Sequence, residues 1–205
     1  MYKVFIDHKP VVFISKGDLS TKSPHIEFSK SLSVRKDLRP ALKEATIDSP
    51  LQVVSDDPKS AFKQTFKNYL KIKAAGGLVE RKGKYLLIKR KGMWDVPKGR
   101  IDKGEEKEAA CIREIMEECG IEGHEIIKPL TKTYHLMKYK GRKAIKKTYW
   151  YMLKYDGPKA TKPERKEGIT KAKWMPVDYM MAIRGKTYGS INEVLDVFEK
   201  QYLKK

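Results

Sequence analysis

Residues 99–121 read GRIDKGEEKEAACIREIMEECGI and carry the most specific pattern in the chain. The pattern is a glycine, five residues, a glutamate, seven residues, and then Arg-Glu-apolar-x-Glu-Glu-x-Gly-apolar. Its fixed identities are Gly99, Glu105, Arg113, Glu114, Glu117, Glu118 and Gly120. Seven identities at roughly 6% each match by chance on the order of one time in 10⁹ per start position. The stretch is therefore a specific signal.

The spacing of apolar residues predicts a helix from about Lys107 to Cys119. On a wheel of about 100° per residue, one arc predicts a core face centred on Ile112. The members of this arc are Ala109, Ile112, Ile115, Met116 and Cys119. Glu114, Glu117 and Glu118 fall on the opposite face, within about 100° of one another.

Clustered carboxylates repel one another unless a positive charge lies among them. Mg²⁺ prefers oxygen ligands of this kind and typically adds substrate phosphates. A solvated acidic helix face balanced by lysines is the alternative for three glutamates taken alone. Gly120 stands where a left-handed helix cap is expected, and Gly99 lets the backbone approach a metal or substrate closely. Arg113 lies beside the acids on the wheel, so we expect it to form a bidentate ion pair with them. The alternative is an ordinary surface arginine.

The complete pattern at Gly99–Ile121 resembles the box of the Nudix hydrolase family, and Trp94–Gly99 resembles that family's approach to the helix. The resemblance covers about Ile72–Lys205. It implies an α/β/α sandwich with a mixed sheet, and hydrolysis of a phosphoanhydride bond with Mg²⁺ as cofactor or Mn²⁺ in its place. It also implies that Glu114, Glu117 and Glu118 are metal ligands.

Further roles follow from the same resemblance. Gly99 would add a backbone carbonyl to the metal, and Arg113 would orient the acids. Glu105 would support the geometry between loop and helix. The family often takes another acid from a distant loop, as base or further ligand, and here Glu167 is the first choice with Glu164 as the alternative.

The strand Lys147–Tyr151 resembles one found in diadenosine-polyphosphate hydrolases of the family. Strand alternation sends Trp150 to one face and Tyr149 and Tyr151 to the other, so one set could stack on a base or both could pack in the core. We expect the basic residues around the box loop to bind the phosphates of a polyphosphate substrate. These residues are Lys89, Arg90, Lys98 and Arg100.

We therefore expect a phosphorylated small-molecule substrate. A dinucleoside polyphosphate is the first expectation. ADP-ribose, nucleotide sugars, diphosphoinositol phosphates and 5′-triphosphorylated RNA are the alternatives.

The composition suits a folded protein with an excess of positive charge. The chain has 205 residues, 40% of them hydrophobic, and 45 basic against 26 acidic residues give a net charge of +19. Such a field attracts phosphates, although a lysine-rich solvated surface has the same composition. Nucleic acid is allowed as a partner but not favoured, because no zinc-finger spacing or RNP-type motif is present.

Other residue types favour a soluble cytoplasmic protein without a membrane segment. Cys111 and Cys119 are about 12 Å apart along one predicted helix, too far for a disulfide, and free thiols favour a reducing compartment. No apolar run reaches the length of a membrane span, and no signal peptide is expected. The four histidines, His8, His25, His124 and His135, have no metal-ligand spacing and are expected at the surface or in packing.

The pattern divides the chain into a small α+β module at residues 1–70 and a Nudix domain at residues 71–205. In the module, Tyr2–Ile6 and Val11–Ile14 predict a hairpin, Leu38–Ala45 a short helix, Leu51–Val54 a strand and Asp57–Leu70 a helix. In the domain, further strands and helices are expected at Ala74–Val79, Tyr85–Lys89, Lys132–Met137, Lys147–Lys154, Ala172–Met175, Val177–Ile183 and Ile191–Tyr202, the last with Ser190 as N-cap.

The role of the first seventy residues stays open between several interpretations. Some Nudix domains sense a nucleotide and regulate through an attached DNA-binding module. The intact acids, and the absence of a clear helix-turn-helix pattern in residues 1–70, argue against that interpretation. A dimerisation or lid element is another, so a homodimer is allowed. The module has twelve basic and eight acidic residues, a net charge of only +4, so most of the positive charge belongs to the Nudix domain.

Overall fold

The computed structural model describes residues 1–204, and the chain divides into two compact units. The first unit combines Met1–Lys71 with Tyr134–Lys146. The second begins at Ile72, leaves out the same short segment, and resumes at Lys147. Residues 134–146, which the sequence pattern placed with the Nudix domain, thus pack in the first unit. Lys205, the end of the predicted domain, lies outside the described residues. Within residues 1–204, no helix has the length and apolarity to cross a membrane.

The first unit is an α+β structure whose strands form a four-stranded arrangement. The strands are β1 (Tyr2–Ile6), β2 (Lys9–Ile14), β3 (His25–Glu27) and β4 (Leu51–Val54), and the helices are α1 (Arg39–Ala41) and α2 (Pro58–Thr65). A π-helical turn at Val34–Leu38 precedes α1. The predicted hairpin is confirmed, because β1 and β2 pair antiparallel, while β2, β4 and β3 pair parallel in that order. His25–Glu27 was not predicted as a strand.

Strand alternation builds the core of the first unit. Every second residue of its strands points to the helices, and these residues are Val4, Ile6, Val11, Phe13, Leu51 and Val53. The helix α2 starts as predicted, since the Asp57 carboxylate accepts a hydrogen bond from the Ser60 N–H at 3.0 Å. It ends at Thr65 rather than Leu70, because the backbone leaves helical angles at Phe66 and Leu70 already belongs to the next strand.

The second unit holds the predicted box within a larger set of elements. Its strands are β5 (Leu70–Arg81), β6 (Lys84–Arg90), β7 (Met93–Asp95), β8 (Lys98–Arg100), β9 (Glu125–Tyr139), β10 (Arg142–Lys154) and β11 (Ile169–Pro176). Its helices are α3 (Lys107–Cys119), α4 (Val177–Ala182) and α5 (Gly189–Phe198). The outer ends of β9 and β10 form the segment 134–146 of the first unit. Tyr188, not Ser190, caps α5, because that helix begins at Gly189.

The long strands of the second unit lie in the order β11-β6-β5-β10-β9, with helices on both faces. On one face, Ala75, Leu86 and Tyr151 share a core with Ile115 of α3. On the other, their chain neighbours share a core with α4 and α5; they include Leu78, Leu87, Trp150 and Met152. Alternation along each strand thus produces the predicted α/β/α sandwich with its mixed sheet. The short strands β7 and β8 pair with β6 and β5 and carry the chain toward α3.

Candidate active site

The helix α3 has the predicted bounds, Lys107–Cys119, but a different buried face. Ile115 and Cys119 are buried as expected, whereas Met116 is 38% exposed and Ala109 is exposed. Its buried residues are Ala110, Cys111, Glu114, Ile115, Glu118 and Cys119, so the core face is rotated by about 100° from the predicted centre at Ile112. The reason is that two of the acids are buried: Glu114 is bound by Arg113 of the same helix, and Glu118 by Lys98 and Arg90 of two strands.

Gly99 on β8 leaves the space that the Glu114 side chain fills. A Cβ on residue 99 would lie 1.7 Å from Glu114 Oε2 and 1.9 Å from the carboxyl carbon, so any larger residue would displace the acid. The predicted close approach of the backbone at Gly99 is therefore made to a box carboxylate. At the other end of the helix, Gly120 adopts the left-handed cap that the sequence predicted, with φ 65° and its N–H donating to Met116.

Arg113 binds three acids with one guanidinium group. Its Nε and Nη2 donate to both oxygens of Glu105, at 2.8 and 2.9 Å. Its Nη1 donates to Glu114 Oε1 at 3.0 Å and to Glu117 Oε2 at 3.1 Å. The hydrogen bonds from Arg113, followed by one from the Asp102 N–H, lower the pKa of Glu105 to about 2. Arg113 thus brings Glu114 and Glu117 to one nitrogen atom, while Glu105 fixes the arginine to the loop before the helix.

Glu118 is the most buried acid of the box, with a side chain 0% exposed. Its Oε2 accepts the Lys98 backbone N–H at 2.9 Å and its Oε1 accepts from Arg90 Nη1 at 3.1 Å. Burial raises the pKa of Glu118 to about 7, against the opposing effects of Lys98 and Arg90. Burial likewise raises the pKa of Glu114. Both carboxylates are therefore poised to gain from a further positive charge.

Glu167, rather than Glu164, reaches this cluster. Arg90 donates through Nη2 to Glu167 Oε2 at 2.9 Å, so the same guanidinium bridges Glu118 and Glu167. Glu164 instead caps the short 3-10 turn at Arg165–Glu167 and accepts the Lys166 N–H at 2.8 Å. Its own backbone N–H binds the carbonyl of Glu118. From the sequence, Arg90 was predicted only as a phosphate contact. The bridge was missed because the position of Arg90 at the end of β6 gives no local signal for it.

The donor set fits a hard divalent cation. Glu114, Glu117, Glu118 and the Gly99 carbonyl offer only oxygen atoms, the ligands that Mg²⁺ prefers. Within residues 1–204, the structure contains no group of three or more Asp, Glu, His or Cys side chains already arranged to hold a metal ion. Guanidinium groups hold the acids instead, as described above for Arg113 and Arg90. The oxygen donors thus fit Mg²⁺, the ion predicted from the sequence. In this structure, the guanidinium groups of Arg113 and Arg90 bind the acids.

The predicted substrate contacts are placed unevenly. Arg100 is more than half exposed, with its Nη2 3.9 Å from Asp102. The Lys98 ammonium is mostly buried, forms an ion pair with Asp95, and donates to the Val96 carbonyl at 3.2 Å. Lys98 therefore contacts the acids through its backbone N–H, which donates to Glu118. Its ammonium group is paired with Asp95, a residue not predicted from the sequence.

The predicted stacking surface on β10 needs a correction. Trp150 is 1% exposed and donates its indole N–H to Thr133 at 2.8 Å, and Tyr151 is 3% exposed with its hydroxyl bound to Glu108. The alternation of faces was right, but both faces of β10 are covered: Tyr151 packs in the core shared with α3, and Trp150 in the core shared with α4 and α5. The core-packing alternative describes Trp150, which has no free ring face for a base.

The remaining sequence expectations concern residues outside the acid cluster. The thiols of Cys111 and Cys119 are free, as expected, and both are buried. His124 is buried and hydrogen bonds through Nε2 to the Ile112 carbonyl, which is a packing role, and His8 and His25 are exposed.

Comparison with known proteins extends these observations. The model of the NUDIX domain matches residues 70–192. A putative mutator protein MutT4 of Mycobacterium tuberculosis is 29% identical over 101 residues, which cover 49% of this chain and 37% of that protein. An RNA pyrophosphohydrolase of Wolbachia pipientis is 30% identical over 104 residues, covering 43% of this chain and 62% of the relative. The match thus spans less than two thirds of the length of these curated relatives.

Solved structures share the fold. A Caenorhabditis elegans Ap4A hydrolase in a binary complex is 24% identical, with a TM-score of 0.52 over 65% of this chain and 99% of that one. The Escherichia coli ORF135 protein is 19% identical, with a TM-score of 0.51 over 68% of this chain and 96% of that one. These similarities establish the fold, and the domain model covers more than half of the chain. The protein therefore belongs to the NUDIX domain family.

Proposed function

We propose that this protein hydrolyses a phosphoanhydride bond with Mg²⁺ as its cofactor, at a site in the second unit. One observation carries the proposal: three acids of a single helix lie together, bound by two arginines. Arg113 binds Glu114 and Glu117, and Arg90 binds Glu118. Clustered carboxylates lower the stability of the fold unless positive charge compensates them. A bound divalent cation supplies such charge and prefers oxygen ligands.

In the proposed reaction, Glu114, Glu117, Glu118 and the Gly99 carbonyl would hold the cation. When bound, Mg²⁺ supplies charge neutralisation on the phosphates and acidifies a bound water, and Mn²⁺ suits the same donors. Arg113 keeps the helix acids in one orientation through its fixed fork of donors. Glu105 restrains Arg113 in turn, so the loop and the helix hold a common geometry.

The distant loop supplies the remaining acid. Glu167 is held by Arg90 beside Glu118, and we assign it the role of base or further ligand. As a base it would accept a proton from the attacking water, which then forms the new bond to phosphorus as the bridging oxygen leaves. Arg100 is exposed beside the box and is the best placed of the predicted basic residues to meet a substrate phosphate.

For the substrate we propose a nucleoside diphosphate linked to a further group, with a dinucleoside polyphosphate first. The strand Lys147–Tyr151 and the net charge of +15 outside residues 1–70 support this choice. The similar proteins named above include an Ap4A hydrolase and an RNA pyrophosphohydrolase. ADP-ribose, nucleotide sugars, diphosphoinositol phosphates and RNA 5′ ends are the alternatives. We place the reaction in the cytoplasm, which the two free thiols favour.

A substrate panel with and without Mg²⁺ tests the proposal, with product release followed by chromatography. Glu118→Gln should lose turnover on every substrate, whereas Glu122→Gln, an exposed neighbour just past the box, should keep it. Equal activity in the two variants would overturn the site. Tight nucleotide binding without any metal-dependent turnover would favour the regulatory alternative. The first unit opens with a β-hairpin, which does not favour a DNA-binding helix-turn-helix there.

A further inference from the structure

The outer ends of β9 and β10 form a hairpin that carries positive charge and no acid. Residues 126–155 contain nine lysines and arginines and no aspartate or glutamate. Five of these basic residues fall within residues 134–146, the segment that packs in the first unit. With this segment, the first unit has eighteen basic and eight acidic residues, a net charge of +10. The fold therefore gives the first unit a more basic character than the +4 of residues 1–70 predicted.

The charges lie at the tip of the β9–β10 hairpin, beyond its packed part. Leu136 and Ile145 pack in the core of the first unit. Lys138, Lys140 and Lys143 follow toward the turn, and all three are exposed. We call Lys138, Lys140 and Lys143 the hairpin lysines. Because the strands below them are held in the core, the hairpin lysines reach solvent from a fixed support.

The turn of this hairpin brings like charges together. Lys140–Gly141 is a two-residue turn with positive φ at both positions, 47° and 74°, and β9 ends just before it and β10 begins just after it. Such a turn sets Lys138 opposite Lys143. Like charges directly opposite on neighbouring strands lower stability. On the neighbouring strand β1, the acid that follows is Asp7, and Arg39 already binds its carboxylate at 3.1 Å. An anion from outside the chain would relieve the repulsion.

The surroundings of the hairpin lysines favour a nucleic acid among anionic partners. Tyr139 separates Lys138 from Lys140, and Lys140 Nζ lies 5.8 Å from the centroid of the Tyr139 ring. Single-stranded nucleic acids bind where positive side chains meet the phosphates and aromatic rings stack on the bases. Attachment to a membrane surface uses exposed apolar side chains as well. Of the large apolar side chains exposed within residues 1–204, none lies on this hairpin.

We propose that the hairpin lysines and Tyr139 bind a single-stranded nucleic acid. The lysines contact its phosphates, and the tyrosine ring stacks on a base. This site belongs to the first unit and uses none of the acids of the box. The inference therefore goes beyond the proposed function and does not depend on it, and it gives the first unit a role of its own.

Fluorescence anisotropy of a labelled RNA tests the proposal. The probe is a polyuridylate of about 12 nucleotides with a 5′ hydroxyl and a fluorescein at its 3′ end, so it carries no phosphoanhydride bond. The full-length protein is titrated with EDTA present, at salt concentrations from about 50 to about 200 mM. Each lysine on a phosphate of a single strand adds about 0.7 to the salt slope of binding. Lys140→Gln with Lys143→Gln should reduce that slope by about 1.4 and raise Kd about tenfold at about 200 mM salt.

A second hairpin of the chain supplies the matched control. The turn between β5 and β6 also has a lysine and a glycine at positive φ, Lys82 at 48° and Gly83 at 74°. Lys82→Gln with Lys84→Gln removes the same charge from two exposed residues at that turn, and should change Kd less than about twofold. Lys140→Arg with Lys143→Arg keeps the charge and should retain binding.

The ring is tested separately from the charge. Tyr139→Phe keeps the aromatic face and should bind the RNA as the natural sequence does. Tyr139→Leu fills similar space without an aromatic face and should raise Kd about fivefold or more, the loss expected for one stacked base.

Three outcomes would overturn the proposal. Equal weakening in the two double glutamine variants would mean that the RNA senses only the general field of the protein. RNA binding that is absent, or that does not respond to salt, would remove the site. Vesicles of phosphatidylserine and phosphatidylcholine that bind through the hairpin lysines, while the RNA does not bind, would make the partner a membrane surface instead.

Discussion

The carboxylate of Glu114 lies so close to the α-carbon of Gly99 that a methyl group there would meet Glu114 Oε2 at 1.7 Å. Gly99 belongs to the strand β8 and Glu114 to the middle of α3, so this contact sets how the loop and the helix approach each other. We therefore expect the fit of these two residues to be as important as the acid itself.

Gly99→Ala should lower activity by about 100-fold, because a displacement of the acid by about 1 Å misplaces the reacting groups. Overpacking should also lower the free energy of unfolding by about 1–3 kcal/mol. Steady-state kinetics and urea unfolding measure the two effects. Gly17→Ala is the control, since a Cβ at Gly17 meets no atom within 4 Å. Full activity in Gly99→Ala would show that Glu114 moves without consequence.

Arg113→Lys keeps the charge but removes the fork that binds Glu105, Glu114 and Glu117. A lysine cannot replace this planar set of donors. We expect a 10- to 100-fold loss of activity or of metal affinity, of about the size seen when groups that orient metal ligands are removed. A Mg²⁺ activation curve should shift to higher concentration. Arg142→Lys, at the exposed first residue of β10, should leave the curve in place.

Glu167→Gln should lower kcat by about 100-fold or more, in the range expected for loss of a general base. Glu164→Gln should lower it only a few-fold, because that side chain caps a 3-10 turn. The kcat values of the two variants decide between the loop acids. If Glu164→Gln had the larger effect, the bridge through Arg90 would not mark the functional acid.

His124 should make the protein less stable in mild acid. Burial lowers the pKa of His124 from its ordinary value of 6.5, more than the hydrogen bond to Ile112 raises it. The folded state then binds fewer protons than the unfolded state, so this contribution is complete above pH 6.5 and is lost as pH falls through the folded pKa. Urea unfolding from pH 8 to pH 5 should show a flatter pH dependence for His124→Gln than for the natural sequence. Parallel curves for the two proteins would contradict this.

Cys111 and Cys119 should resist thiol reagents in the folded protein. Burial raises the pKa of both thiols, so little thiolate forms at neutral pH and access is blocked. Ellman's reagent should detect no rapid reaction in buffer and two thiols per chain in 6 M guanidinium chloride. Rapid labelling of the folded protein would mean that α3 opens readily from its core.

Local sequence patterns were enough to predict the family, the bounds of α3, the β1–β2 hairpin and the cap at Gly120. These features depend on local rules, namely fixed motif spacing, helical periodicity and turn chemistry, which neighbouring residues satisfy among themselves. The alternation of Trp150 and Tyr151 across β10 was predictable for the same reason.

Three features depend instead on long-range packing: which face of α3 is buried, which loop acid reaches the site, and whether Trp150 is accessible. The helical wheel assumed that carboxylates face solvent, but Glu118 is buried because the Lys98 N–H and Arg90 compensate its charge from other strands. Arg90 and Glu167 are 77 residues apart in sequence and yet form an ion pair. Such contacts depend on long-range packing, which balances the cost of burying charge in a way that no local pattern records.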